Sequence, residues 1–125
     1  MTNKFKIDAK LEDLKNILGA QVLWGEGLLS VEIKSVSASD LMSDVLTFAK
    51  EDSLLVTGLV NQQVVRTAEM AGIVAICFVR GKVPPEETII LAKEKNVPLL
   101  ATELSMYKAC GKLYEKGLHG YNEIK

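Results

Sequence analysis

Residues 53–79 read SLLVTGLVNQQVVRTAEMAGIVAICFV, and this stretch decides the fold. Ser53-Leu54-Leu55-Val56-Thr57, with three apolar residues in a row at its centre, is a fully buried strand candidate, ended by Gly58. From Asn61 to Ala71 the apolar residues return at helical spacing, and Gly72 closes the segment. Val74 to Val79 is a second β-rich run. Strands covered on both faces show continuous apolar runs rather than alternation, and a parallel pair needs a crossover that is usually a helix. The stretch therefore predicts a β-α-β unit.

The pattern extends in both directions. Downstream, Pro84-Pro85-Glu86-Glu87 opens a helix through Lys95, Asn96 to Ala101 holds a short strand entered past Pro98, and Ser105 is placed to cap a last helix to about Tyr114. Upstream, Ile7, Leu11, Leu14, Ile17 and Leu18 mark a helix ended by Gly19. Gln21–Trp24 and Leu29–Ile33 flank Gly25-Glu26-Gly27 as a hairpin or a sharp corner. Leu41, Met42, Val45, Leu46 and Ala49 then form a helical stripe, with Ser39 or Asp40 placed to cap it. The expected class is α/β: three layers, a mostly parallel sheet with helices on both faces. One domain over residues 1–125 is expected, with its core at about 11–118 and a frayed end from Gly120.

Composition narrows the function. The 125 residues are 48% hydrophobic and 25% charged, with 15 basic against 16 acidic side chains and a net charge of −1. No excess of cations exists to release counterions from a nucleic acid, so DNA and RNA are not expected partners. The longest apolar run, Ile73 to Val79, is far short of the roughly twenty residues that cross a membrane. The opening Met1-Thr2-Asn3-Lys4-Phe5-Lys6 is too polar for a signal peptide, so a cytoplasmic protein is expected. Cys77 and Cys110 stand outside any CxxC or Cys/His cluster and read as buried thiols. No metal site or cofactor is predicted, and neither a P-loop nor a G-x-G-x-x-G is present.

In open parallel sheets, ligands favour the crevice beyond the carboxyl ends of the strands. The candidate residues there are Thr57 and Gly58, then Arg80, Gly81 and Lys82, then Thr102, Glu103 and Ser105, with Asn61 at the next helix start. Asn61 either caps its helix or faces a ligand. Arg80-Gly81-Lys82 is either a cradle for a phosphate or carboxylate or a solvated turn. Ser39-Asp40 and Ser43-Asp44 offer paired carboxylates, which helix capping explains more simply than a metal. Ser105-Met106-Tyr107-Lys108 fits S-x-x-K without its K-T-G companion, and a capping serine explains it. His119 lacks any partner at motif spacing for acid–base work.

Thr57-Gly58, the run Ala75 to Pro84 and the run Asn96 to Thr102 together resemble the DRTGG domain, found beside CBS domains in some pyrophosphatases and at the front of some phosphotransacetylases. Val36 to Leu41 with Leu104 to Leu118 is similar to the non-catalytic N-terminal domain of HPr kinase/phosphorylase. The likeness runs from about Leu11 to Leu118. Where the family has its Asp-Arg pair this chain has Leu59-Val60, and of the Thr-Gly-Gly turn only Gly81 remains. The resemblance implies a non-catalytic regulatory module that binds a nucleotide or small anionic metabolite at the strand ends. It also implies self-association, with Leu59 and Val60 as apolar surface for a homodimer. Two other classes stand beside it. One is an adaptor docking on a larger enzyme through its first and last helices. The other is a small hydrolase or transferase using Ser105, Lys108 and Thr102.

Overall fold

The computed structural model describes residues 9–120, so the expected helix start at Ile7 and, beyond Gly120 itself, the frayed end expected from Gly120 lie outside the described residues. In chain order the elements are α1 (Leu11–Leu18), β1 (Gln21–Trp24), β2 (Ser35–Ala38), α2 (Met42–Phe48), β3 (Ser53–Thr57), α3 (Gln62–Ala71), β4 (Ala75–Phe78), α4 (Glu86–Lys95), β5 (Leu99–Ala101) and α5 (Met106–Glu115). The sheet order is β1-β5-β4-β3-β2. Strands β2 to β5 run parallel to their neighbours, and β1 lies antiparallel on β5.

Successive side chains of a strand point to opposite faces, and the central strands fill both. Leu54, Val56, Ala75, Cys77 and Leu100 pack with Leu14 and Leu18 of α1 and Ala109 and Leu113 of α5. Leu55, Ile76, Phe78 and Leu99 pack with Val45 of α2, Val64 and Ala68 of α3 and Leu91 and Ala92 of α4. The fold is thus the expected three-layer α/β arrangement, with every residue of β3 and β4 buried. Burial pushes the Cys77 thiol up to about 12, which keeps it neutral and hydrocarbon-like.

Two sequence expectations are corrected here. Leu29–Ile33 forms no hairpin with β1: a 3-10 turn at Glu26–Leu28 leads the chain away, and β1 takes β5 as its partner. The segment instead serves α1, because the Val31 and Leu29 carbonyls accept from the Leu11 and Glu12 N–H groups at 2.9 Å each. Those amides at the helix start have no partner within the helix. The second correction concerns Ser39 and Asp40. Neither side chain caps α2, whose N-cap is Leu41 without a side-chain bond. The Ser39 hydroxyl accepts from the Leu41 N–H at 3.0 Å in a local turn, and Asp40 reaches β3 instead.

Candidate functional site

Parallel register brings three strand exits to one rim. Thr57 stands beside Phe78, and Phe78 beside Ala101, so the chain leaves β3, β4 and β5 along the same edge of the sheet. After β4 it makes a turn in which Arg80 and Gly81 both have positive φ, 59° and 65°, closed by the Lys82 N–H on the Val79 carbonyl at 3.2 Å. The other turn amides are engaged too. Arg80 N–H donates to the Leu104 carbonyl and Gly81 N–H to the Thr102 carbonyl, both at 2.8 Å. The turn therefore offers an anion its side chains rather than a cradle of free amides.

At the β3 exit, Asp40 is the organising residue. One carboxylate oxygen accepts from the Thr57 hydroxyl at 2.9 Å and from the Gly58 N–H at 2.7 Å. Thr57 is fully buried, and its oxygen also accepts from the Leu59 N–H at 3.1 Å. A hydroxyl beside a carboxylate resembles a nucleophile with its base, yet no solvent or substrate can reach this one, so the contact ties the chain before α2 to the end of β3. The Lys82 ammonium crosses from the neighbouring turn to donate to the Gly58 carbonyl at 3.0 Å. Asp40, Thr57, Gly58 and Lys82 thus form one connected group.

The remaining candidates divide by what their side chains hold. Asn61 caps α3, accepting from the Gln63 N–H at 3.1 Å, and Ser105 caps α5, accepting from the Lys108 N–H at 3.2 Å. The S-x-x-K pattern is therefore a helix cap, and Ser105→Ala is expected to lower the unfolding free energy by about 1 kcal/mol in urea titrations. Thr102 is buried, donating to the Leu18 carbonyl at 2.7 Å and accepting from the Leu104 N–H at 3.2 Å. His119 stands edge-on to Tyr114 with ring centres 4.9 Å apart. Leu59 and Val60, expected as apolar surface, are partly buried against the α2–α4 face, where the Val60 carbonyl accepts from the Thr88 hydroxyl at 2.8 Å.

The charges facing the rim are balanced. Glu103 lies over the turn, its Oε1 only 2.8 Å from the position a Cβ on Gly81 would take. Sequence position placed Glu103 after β5 but gave no sign of this contact. Arg80 is exposed, and among the described residues no hydrogen bond or ion pair holds its guanidinium. Among the described residues, Lys82 is held by the neutral Gly58 carbonyl and by no ion pair. The two cations of the rim are thus not neutralised by a direct ion pair. Among the described residues, no three His, Cys, Asp or Glu side chains gather to hold a metal, and no helix is long and apolar enough to cross a membrane.

Comparison with known proteins adds to this geometry. The family model of the DRTGG domain matches residues 13–115. A crystal structure of the CBS and DRTGG domains of the regulatory region of Clostridium perfringens pyrophosphatase, complexed with the activator diadenosine tetraphosphate, superposes with a TM-score of 0.67 at 15% sequence identity. The match covers 92% of this chain and 52% of that one, so this chain spans about half its length. No curated protein matches the chain.

Proposed function

Because this chain belongs to the DRTGG domain family, we propose that it is a non-catalytic regulatory module that senses a nucleotide or small phosphorylated metabolite at the strand-exit rim. One observation carries the reading: Arg80 and Lys82 stand on a turn whose backbone is fixed by three hydrogen bonds, and among the described residues neither cation forms an ion pair. Guanidinium and ammonium groups so placed suit an oxyanion, the first through its planar fork and the second as a point charge. The nearby hydroxyls favour sensing over chemistry. The Thr57 hydroxyl, the one of them beside a carboxylate, is fully buried, and those of Thr102 and Ser105 are bound to backbone groups.

A thermal-shift panel of nucleotides, dinucleoside polyphosphates and phosphorylated metabolites tests the proposal. A ligand at a hundred times its Kd should stabilise the fold by about 2.7 kcal/mol. The double variant Arg80→Gln, Lys82→Gln should keep the wild-type midpoint without ligand and lose most of that shift. Equal shifts in wild type and variant, or no shift with any compound, would contradict the assignment.

A further inference from the structure

The turn that carries Arg80 and Lys82 also holds a carboxylate against it. Two backbone hydrogen bonds staple the turn to the segment after β5, because the Gly81 N–H donates to the Thr102 carbonyl and the Arg80 N–H to the Leu104 carbonyl, both at 2.8 Å. Glu103 is the residue between those two carbonyls. Its Oε1 and Oε2 lie 2.8 and 2.9 Å from the place a Cβ on Gly81 would take, so the carboxylate rests on the glycine that separates the two cationic residues.

Three observations give this carboxylate a role beyond packing. First, it holds nothing within the chain. Glu103 is exposed, among the described residues it makes neither a hydrogen bond nor an ion pair, and the three turn amides donate to carbonyls instead. Second, Gly81 makes the room for it. Arg80 takes nearly the same backbone conformation with a full side chain, φ 59° against 65°, so a positive φ alone does not account for glycine at 81. A Cβ there would displace the carboxylate. Third, its charge has the wrong sign for a plain anion site. It repels any phosphate drawn by Arg80 and Lys82, a cost that a ligand offsets by donating a hydrogen bond to it.

Resting on the reading that Arg80 and Lys82 receive an oxyanion, we propose that Glu103 is the specificity-determining residue of the rim. It accepts from ligand hydroxyls, and so selects a ribosyl or sugar phosphate over a bare phosphate, a polyphosphate or an acyl phosphate. An ionised carboxylate has two oxygens and only accepts. A vicinal diol supplies two O–H donors on adjacent carbons, while the phosphate of the same molecule serves the guanidinium and the ammonium. A phosphate without hydroxyls meets the same cations but leaves the carboxylate facing a like charge. Sites built to bond a hydroxyl reject the analogue lacking it far more strongly than an apolar pocket rejects a missing methylene.

Isothermal titration calorimetry on the full chain tests the proposal, with ADP against 2′,3′-dideoxy-ADP and ribose 5-phosphate against inorganic pyrophosphate, in wild type, Glu103→Ala and Glu103→Gln. Wild type should bind at least one hydroxylated ligand about tenfold more tightly than its counterpart, the worth of one hydrogen bond to a charged group. Glu103→Ala should move the two classes in opposite directions, weakening the hydroxylated ligand about tenfold and tightening pyrophosphate. Loss of a merely structural contact would not produce that crossing. Glu103→Gln should keep part of the preference, because its amide oxygen still accepts. Tighter binding of ADP than of ribose 5-phosphate would support the proposal with a nucleotide as the ligand, and the reverse order would support it with a sugar phosphate. Wild type that binds dideoxy-ADP and pyrophosphate as tightly as their counterparts, or a Glu103→Ala chain that weakens every ligand equally, would overturn the proposal and leave the anion site of Arg80 and Lys82 standing. Failure of all four compounds to bind would overturn both.

Discussion

Gly25→Ala should be the most damaging small substitution in the protein, lowering the unfolding free energy by about 3 kcal/mol or more. Gly25 has φ +102°, which side-chain-bearing residues rarely adopt. Its added Cβ would stand 2.6 Å from the Pro98 Cβ and 2.9 Å from the Pro98 Cα. The proline cannot give way easily. Its ring is rigid, its carbonyl accepts from the Ile76 N–H at 3.1 Å, and it leads directly into β5. The strain thus reaches the β1–β5 edge of the sheet, and urea titration should show a lower midpoint with an unchanged slope. Gly58→Ala is the control, since its Cβ would meet Asp40 at an ordinary 3.5 Å with no positive φ. It should cost less than about 0.5 kcal/mol.

Thr102→Val should lower the unfolding free energy by about 2–4 kcal/mol, although the side chains are nearly isosteric. The lost hydroxyl leaves the Leu18 carbonyl and the Leu104 N–H without their partner in a buried setting. Leu18 is the last residue of α1 and Leu104 precedes α5, so one oxygen links the two helices of that face to the end of β5. Thr102→Ser keeps the oxygen and should recover most of the loss. Any ligand response should survive in Thr102→Ser with unchanged Kd, because this hydroxyl faces the core and not the rim.

Much of the fold was legible because the decisive signals are local. The runs 53–57 and 74–79 have the largely apolar character of strands covered twice, and Gly72 and Ser105 act as helix ends where the sequence put them. What escaped was non-local. Ser35-Val36-Ser37-Ala38 carries almost no intrinsic strand signal and becomes β2 because β3 offers it a parallel edge. Leu29–Ile33 looks like a strand, yet its carbonyls satisfy the start of α1, a partner only folding brings near.

The candidate site shows the same division. The strand-exit rule located Thr57, Gly58, Arg80, Gly81, Lys82 and Thr102 on one edge, since register alone decides that. It could not say which side chains turn outward. Asp40 reads as a helix cap from its place before Leu41 but reaches seventeen residues ahead to Thr57. Thr102 reads as a rim hydroxyl but turns back under α1. Among the described candidates, Arg80 and Lys82 alone combine positive charge with freedom from an ion pair.

Amide chemical-shift mapping during titration with the ligand that gives the largest thermal shift tests the central claim most directly. The account predicts saturable changes at Gly58, Arg80, Gly81 and Lys82, with α5 from Tyr107 to Tyr114 undisturbed. Saturable binding that leaves residues 58 and 80–82 unmoved, with its changes gathered elsewhere on the molecule, would contradict it.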